Sequence, residues 1–294
     1  MIVLSEASPR VAPSASANDI AVSTEVARLS GCRVYSIPDD FEVSEGAANA
    51  LSYLRPYEEE TAGFWVGYIP SLARYQELYE AAKEKNILLV NTPAQHQSVM
   101  EFDRAYPFLE GLTPKSVTIT EDAQCEEAMA ALGFPIFVKG AVQSTKADGW
   151  RSCVAETTEE LKALIERLLS LSARSRGRVI LRQLVKLRHT RTSGLGFPLG
   201  REFRVFLYRG EVLASGYYWE GEDPLSRLSS TEESEMLGLA TQAARRLPAM
   251  YVAVDVGQTE AGEWVVIEVG DAQFCGASRV SLWALWGGLL VRCT

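Results

Sequence analysis

The segment YVAVDVGQTEAGEWVVIEVGD, residues 251–271, constrains the fold most, because two apolar runs flank a polar, glycine-containing turn. This pattern predicts a β-hairpin. Period-two alternation places Asp255 in the first strand and Glu268 in the second among apolar neighbours. If the turn centres on Ala261-Gly262, with a two- or four-residue loop, these carboxylates lie directly opposite each other, whereas a three-residue loop would separate them.

Opposed carboxylates in an apolar hairpin need a compensating charge, since like charges facing each other destabilise a sheet. Mg²⁺ supplies it, because this ion takes one or two carboxylates and completes its octahedron with water and phosphate oxygens. We therefore predict that Asp255 and Glu268 bind Mg²⁺, with Asp271 adding a third oxygen ligand just past the strand. The alternative is an exposed sheet edge where the carboxylates face water.

Basic residues in two upstream strands suit the same chemistry. Arg204 shares a strand face with Glu202, and its planar guanidinium can clamp a phosphoryl or acyl phosphate group. The alternative is a local ion pair between Glu202 and Arg204 on a solvated sheet. Lys139 ends the apolar run FPIFVKG just before Gly140, where a lysine can reach a nucleotide phosphate, although lysines also end strands for solubility alone.

Composition excludes several functional classes. The chain of 294 residues carries a net charge of −9, which argues against a nucleic-acid-binding role. The longest apolar run, SLWALWGGLLV, is too short to span a membrane, and MIVLSEASPR does not resemble a targeting segment. Two histidines and five scattered cysteines predict no zinc site and a reducing compartment. We expect a cytoplasmic protein that binds neither nucleic acid nor membrane.

The hydrophobic periodicity divides the chain near residue 115. Residues 1–115 alternate strand and helix patterns, which predicts a small open α/β N-terminal domain of parallel βαβ units. Its elements are the strands 33–38, 61–69 and 87–91 and a helix over 71–86 with Ser71 as N-cap. No G-x-G-x-x-G follows a strand, so the turn of a dinucleotide-binding domain is missing.

Residues 116–294 are predicted to form a second, two-lobed domain with antiparallel sheets, lobe one covering about 116–185 and lobe two about 186–294. The predicted helices are 120–133, beginning at Thr120, 157–173 and 231–245. The predicted strands are 134–140, 151–156 and 178–185, followed by a hairpin over 201–219. The segment 188–200, with Arg188 and Arg191, is predicted to be a loop that recognises an acceptor or acts as a lid, or is an ordinary solvated loop.

The stretch STKADGWRS, residues 144–152, contains K-x-D-G-x-R, the pattern around the lysine that covalent nucleotidyltransferases use. Those enzymes also need a later E-G-apolar motif and a final lysine pair. Here Glu222 follows Glu220-Gly221, and no lysine occurs after Lys186. We therefore interpret the stretch around Lys146 as a chance match or a flexible glycine loop over phosphates.

The order of these motifs resembles the ATP-grasp superfamily over residues 100–275. More narrowly, it is similar to a divergent bacterial and phage clade, related to the eukaryotic assembly factor for translation initiation factor 2 and linked to peptide or protein modification. The resemblance implies ATP and Mg²⁺ as cofactors. It assigns Lys139 to the phosphates, Lys146 to a mobile loop above them, and Gln183, Leu184 and Val185 to a hinge against adenine.

The resemblance also assigns Arg204 to the acyl phosphate and Asp255 and Glu268 to Mg²⁺. Arg104 occupies the position where related enzymes have the lysine of an Asp-Lys pair, and implies a nucleotide contact. Two departures stand out. Gly270 replaces the usual Asn two residues after the metal-binding Glu, and Gln183 replaces a common acid.

The implied activity is that of a carboxylate–amine ligase, which uses ATP to form an acyl phosphate that an amine attacks. The substrates are then a carboxylate and an amine, either on small molecules or on a peptide or protein. A second hypothesis is an assembly factor that binds ATP to hold a partner protein without forming an amide. A plain α/β binding domain without nucleotide would require both the carboxylate register and the motif order to be accidental.

Overall fold

The computed structural model describes residues 1–8, 12, 14–38, 46–121 and 124–293. The chain begins with a parallel sheet in the order β2-β1-β3-β4, which confirms the predicted open α/β domain. Its strands are β1 (Ile2–Ser5), β2 (Arg33–Ser36), β3 (Thr61–Val66) and β4 (Ile87–Leu89). Its helices are α1 (Ala15–Leu29), α2 (Ala47–Ala50) and α3 (Leu72–Lys83). Ser71 caps α3 as predicted, accepting from the backbone N–H of Arg74.

Two helices, α4 (Pro93–Met100) and α5 (Phe102–Leu109), lead to a second sheet, which is antiparallel with the order β5-β8-β6-β7. Its strands are β5 (Ser116–Ile119), β6 (Ile136–Gly140), β7 (Val154–Ala155) and β8 (Val179–Gln183). Its helices are α6 (Cys125–Leu132), α7 (Thr158–Ser170) and the single turn α8 (Ser172–Ser175). The prediction of a helix start at Thr120 was wrong, because the Gln124 side chain accepts from the Thr120 N–H and α6 begins only at Cys125. Asp122, expected in its first turn, lies outside the described residues.

The third sheet forms lobe two, again antiparallel, with the order β12-β11-β13-β14. Its strands are β11 (Glu202–Tyr208), β12 (Glu211–Tyr217), β13 (Tyr251–Gln258) and β14 (Trp264–Asp271). Helix α9 (Ser230–Arg246) lies between the two hairpins and α10 (Leu282–Cys293) follows them. The segment 188–200 is a hairpin of β9 (His189–Thr192) and β10 (Pro198–Gly200), so the expectation of a loop was wrong.

The lobe-two sheet is buried on both faces, and this places its charged residues between two apolar layers. One face presents Val252, Val254 and Val256 to a core that includes Ala240 of α9. The other face presents residues such as Ala253 to the N-terminal sheet and to α10. Strand alternation puts Asp255 on this second face, so its carboxylate lies between lobe two and the N-terminal domain.

The register of the last hairpin agrees with the prediction near the acids but not at the turn. Asp255 pairs with Glu268 as expected. The connection, however, covers five residues, 259–263, between the paired Gln258 and Trp264. A β-bulge inserts Ile267 into β14 and restores the register, so the loop length and the bulge compensate each other.

The apolar C-terminal segment forms α10, whose buried residues Leu285, Trp286 and Leu289 pack in the core shared by lobe two and the N-terminal domain. Within the described ranges, no helix has both the length and the apolar character needed to cross a bilayer.

Candidate functional site

The opposed carboxylates each pair with a different cation. Arg204 holds Asp255 with two parallel hydrogen bonds, Nε to Oδ1 at 2.8 Å and Nη2 to Oδ2 at 2.7 Å. Lys139 Nζ donates to Oε1 of Glu268, bridging lobe one and lobe two. The alternative of a Glu202–Arg204 ion pair on a solvated sheet does not describe this arrangement, because Arg204 faces Asp255 across the strand pair and both are buried or nearly so.

Burial and pairing act against each other on these groups. Burial raises the pKa of Glu268, but Lys139 and Lys146 lower it by more, so its pKa lies below the usual value. Burial lowers the pKa of Lys139 by more than Glu268 raises it. Burial also lowers the pKa of Arg204, but Asp255 outweighs it and raises this pKa well above the usual value. Glu268 therefore stays ionised beside its two lysines.

Lys146 completes the positive charge of the site. Its ammonium lies over two rings, 4.5 Å from the centre of Tyr218 and 4.9 Å from that of Trp219. Burial lowers its pKa, but Tyr218 and the acids beginning with Glu202 raise it to a value above that of a free lysine. A nucleophilic lysine needs a lowered pKa, so Lys146 suits charge stabilisation rather than covalent catalysis.

The loop that carries Lys146 is held closely by the β9–β10 hairpin. Gly149 has φ +96°, and a Cβ there would lie 2.4 Å from the carbonyl oxygen of Leu195 at the hairpin tip. The rings of Trp150 and Phe197 add a contact with centroids 6.3 Å apart. The glycine in KADGWR is therefore required for a backbone approach, which explains the motif without a covalent role for the lysine.

Glu202 is a site residue that the sequence interpretation placed only in a surface ion pair. Its side chain is buried, and no residue in the described part of the chain bonds its Oε2. Burial raises its pKa to about 6, with further increases from Asp255 and Glu268, while Lys146 and Arg204 lower it. Its position two residues before Arg204, on the same strand face, was the sequence signal for its presence here.

Arg182 was also missed. It extends from β8 and donates to the carbonyl oxygens of Val266 at 2.9 Å and Ile267 at 2.5 Å, the residues at the bulge of β14. Its guanidinium lies 5.0 Å from the ring centre of Phe102, as does the Lys139 ammonium. Burial lowers the pKa of Arg182 to about 10. The pattern VILRQ places Arg182 in the strand that precedes the hinge. The sequence does not show which carbonyl groups it binds, because they lie in a distant strand.

The structure does not bring Asp271 to the carboxylate pair. Asp271 pairs with Val252, three residues from Asp255, and alternation therefore directs it to the other face. Its Oδ2 lies 3.0 Å from Nδ1 of His96, and its Oδ1 accepts from the backbone N–H of Gln273 at 3.1 Å. Across the described ranges, no group of three or more His, Cys, Asp or Glu side chains is placed to hold a metal, which contradicts the expected third ligand.

Arg104 is likewise directed away from the site. Its Nε bonds Glu101 at 2.7 Å, and its side chain is about half exposed. Gln183, Leu184 and Val185 lie where β8 ends and the chain enters lobe two, with Gln183 exposed. This connection between the two sheets is the position expected of a hinge.

A cavity of about 1100 Å³ opens beside the carboxylates. Lys146, Arg204, Asp255 and Glu268 are among the residues that line it. Other parts of its wall come from the N-terminal domain, from α8 and from α10. Arg104 and the hinge residues 183–185 are not in this wall. Arg188 and Arg191 are not in this wall either, and the acceptor-recognising or lid role of that segment stays a prediction.

The family model for the ATP-grasp domain, R₂K clade family 3, matches residues 128–289, more than half of the sequence. The chain belongs to this ATP-grasp family. The matched region contains the three cations Lys139, Lys146 and Arg204 and the opposed acids of the site, while the N-terminal parallel sheet precedes it. The search of curated proteins found no match.

Solved ATP-grasp structures cover nearly the whole chain. The D-alanine–D-alanine ligase from Bacillus anthracis complexed with ATP is 14% identical, with a TM-score of 0.67 over 99% of this chain and 94% of that one. A RimK-domain ATP-grasp protein from Sphaerobacter thermophilus is 14% identical, with a TM-score of 0.61 over 98% and 97%.

A third similar structure is the ATP-grasp ligase PsnB, solved with minimal precursor, Mg and ADP and also with the precursor peptide PsnA2 and AMPPNP. It is 17% identical in both, with TM-scores of 0.58 and 0.56, over at least 99% of this chain and 97% of PsnB. At these identities the likeness to all three establishes the two-lobed ATP-grasp fold and nothing about substrate.

The donors of this ATP-grasp site fit a magnesium ion. Carboxylate oxygens are the hard ligands that Mg²⁺ takes, usually one or two per site with phosphates and water completing the octahedron. Glu268 uses Oε1 for Lys139, and its side chain is 30% exposed toward the cavity, which leaves Oε2 available. Asp255 and Glu268 are the residues that would hold the ion.

Proposed function

We propose that the protein is an ATP-dependent carboxylate–amine ligase that acts through an acyl phosphate. One observation carries this proposal, the opposed pair Asp255 and Glu268, which faces the cavity and is surrounded by Lys139, Lys146 and Arg204. Such an array suits phosphoryl transfer, where positioning and charge neutralisation supply most of the barrier reduction.

Each residue has a role that its position supports. Lys139 binds nucleotide phosphates from the end of β6, and Lys146 covers them from the loop held by the β9–β10 hairpin. The hinge residues Gln183, Leu184 and Val185 pack against adenine. Mg²⁺, when bound, neutralises phosphate charge and orients the transferring group.

Arg204 stabilises the negative charge that develops on the acyl phosphate. Its two-pronged contact with Asp255 orients the guanidinium, while Nη1 donates to the carbonyl of Gly276 at 2.6 Å. An amine then attacks the acyl carbon, and phosphate leaves. The substrates are a carboxylate and an amine, and the complex of PsnB with a precursor peptide supports a peptide among them.

The test is incubation of the purified chain with ATP, Mg²⁺ and pools of carboxylates and amines, with mass spectrometry of protein and nucleotides. We expect ADP, phosphate and an amide product, and an unmodified protein. An AMP adduct on Lys146 would instead establish the nucleotidyltransferase chemistry. The variant Glu268→Gln should lose ADP formation.

Gly270 favours one alternative, an assembly factor that binds ATP without turnover. The position that holds Asn in related enzymes has no side chain here, and a Cβ would lie 3.1 Å from Sγ of Cys275. The site therefore lacks one possible magnesium ligand. Retention of ATP with no ADP under any substrate pool, together with co-purification of a partner, would support this function, which also agrees with the resemblance to the translation initiation factor 2 assembly factor.

A further inference from the structure

The cavity contains a second set of charged side chains that the proposed chemistry does not use. Arg174, at the end of lobe-one turn α8, and Arg176, just after it, line the wall. Asp19 of the N-terminal helix α1 lines it as well. The set therefore combines two positive groups and one negative group, contributed by two different parts of the fold.

The two arginines have no acidic partner among the residues that the structure describes. Arg174 Nη1 donates to the carbonyl of Ser144 at 2.9 Å, and Arg176 Nη2 donates to the carbonyl of Pro70, also at 2.9 Å. Nε of Arg176 is buried and bonds nothing in the described chain. Arg178, by contrast, pairs with Asp103 at 2.9 Å. A guanidinium that lacks a counter-charge and faces a cavity suits the carboxylate of a ligand.

Arg176 also adopts an unfavourable backbone conformation. Its φ is +50°, in the left-handed region that non-glycine residues seldom occupy. Such strain persists where surrounding structure fixes it, and it concentrates at ligand sites. The strain therefore agrees with a binding role and, by itself, would not establish one.

Asp19 lies close to the reaction end. A Cβ on Gly276 would be 2.8 Å from Oδ2 of Asp19, and the carbonyl of the same glycine accepts from Arg204 at 2.6 Å. No described residue bonds the Asp19 carboxylate. Burial and repulsion by Glu220 raise its pKa, although Arg204 lowers it, which makes it a stronger proton acceptor than a free aspartate.

We propose that the attacking amine belongs to an amino acid or short peptide with both ends free, whose ammonium binds Asp19 and whose carboxylate binds Arg174 and Arg176. This inference rests on the proposed ligase function. Asp19 takes one proton from the ammonium, the nitrogen lone pair forms the C–N bond, and the acyl C–O bond breaks as phosphate leaves. The second proton lost by the nitrogen goes to the departing phosphate, so the amide keeps one N–H.

The experiment uses three tripeptide pools of the same sequences, one with free ends, one N-acetylated and one C-amidated. Each is incubated with the full chain, AMPPNP and Mg²⁺, and retained peptides are counted by ultrafiltration and mass spectrometry. We expect the free-ended pool to be retained at least roughly tenfold more than either blocked pool, as for the loss of one charge-assisted contact. Equal retention of the three pools, or no retention of the free-ended pool, would overturn the inference.

Variants assign each contact to its residue. Asp19→Asn should remove the preference for a free amine, and the double change Arg174→Gln with Arg176→Gln should remove the preference for a free carboxylate. The lysine pair Arg174→Lys with Arg176→Lys should restore part of the latter. Glu166→Gln and Arg55→Gln, on exposed side chains outside the cavity wall, are the matched controls, and thermal unfolding verifies that every variant folds.

Replacing AMPPNP by ATP separates this inference from the proposed function. With the carboxylate pool added as acyl donor, amide formation that is equal for the free-ended and C-amidated pools would support the ligase function and overturn the inference. The N-acetylated pool has no free α-amine and should form no amide. Selective retention of free-ended peptides without ADP or amide would support the two subsites and count against the ligase reaction.

Discussion

Glu268 and Asp271 lie three residues apart on one strand, yet the fold uses their carboxylates in different ways. Glu268 pairs with Lys139 and is 30% exposed at the cavity. Asp271 is fully buried and joins α4 to β14 through His96 and also bonds Gln273. The face on which an acid falls, rather than its nearness in sequence, decides whether a ligand can reach it.

The largest expected effect tests the exposed member of this comparison. The change Glu268→Gln keeps the shape of the side chain but removes its charge, so we expect ADP formation to fall by about 10²- to 10³-fold. Glu263→Gln, exposed in the turn of the same hairpin, is the control and should leave the rate unchanged. Full activity of the Glu268 variant would show that the active site does not lie on this hairpin.

The buried member should act on stability instead. Asp271→Ala leaves His96 and Gln273 without their partner, and we expect the free energy of unfolding to fall by about 2–4 kcal/mol in urea titrations. Glu268→Gln should lower it by less, about 1–2 kcal/mol, because the amide oxygen can still accept from the buried Lys139 and the side chain is 30% exposed. An Asp271 variant with native stability and a lost Mg²⁺ requirement would show instead that this acid binds the ion.

The contrast also separates what the sequence can predict from what it cannot. The pairing of Asp255 with Glu268 was predicted correctly, but only because the longer turn and the Ile267 bulge cancel each other. The five-residue turn and the Ile267 bulge were not predictable, since the bulge carbonyl is bound by Arg182 from the other lobe. Asp271 was assigned to the metal from its sequence position alone, and its partner His96 lies 175 residues away.

Helix limits show the same difference between local and distant signals. Ser71 caps α3 through its own side chain as predicted, and Thr157 caps α7 in the same way. The predicted start at Thr120 fails because the side chain of Gln124 competes for the Thr120 backbone. Residues on one strand face, such as Glu202 and Arg204, can be grouped from the sequence. Which side chain neutralises each charge depends on contacts between the two lobes, which the sequence does not show.

Glu202 is another acid of this sheet. It is buried like Asp271, but its Oε2 has no hydrogen-bond partner in the described chain. Burial raises its pKa from 4.5 to about 6. Between these values the folded state keeps a proton that the unfolded chain releases, so this group's contribution to stability falls as pH rises through the window, by up to about 2 kcal/mol.

Glu202→Gln should lack this dependence. Urea titrations of wild type and variant from about pH 4.5 to 7 measure the difference in unfolding free energy, which we expect to shift in favour of the variant as pH rises. A difference that stays constant over this range would contradict the buried, protonatable state of Glu202.

The smallest effect is expected at Arg104, which the resemblance assigned to the nucleotide. Its side chain is about half exposed and pairs with Glu101 one helical turn away. Surface pairs of this kind contribute little to stability. Arg104→Gln should therefore keep the ATP affinity, measured by calorimetry, within about twofold of that of the wild type. A tenfold loss of affinity would show instead that Arg104 contacts the nucleotide.

The measurement that tests the central claim most directly is the ATP affinity of the wild-type chain and of Glu268→Gln, by calorimetry with and without Mg²⁺. If Asp255 and Glu268 hold the ion that bridges to the phosphates, wild-type affinity rises at least roughly tenfold with Mg²⁺ and the variant shows no such gain. An affinity that does not depend on Mg²⁺ in the wild type, or an equal gain in both proteins, would contradict the assignment of the metal–nucleotide site to this hairpin.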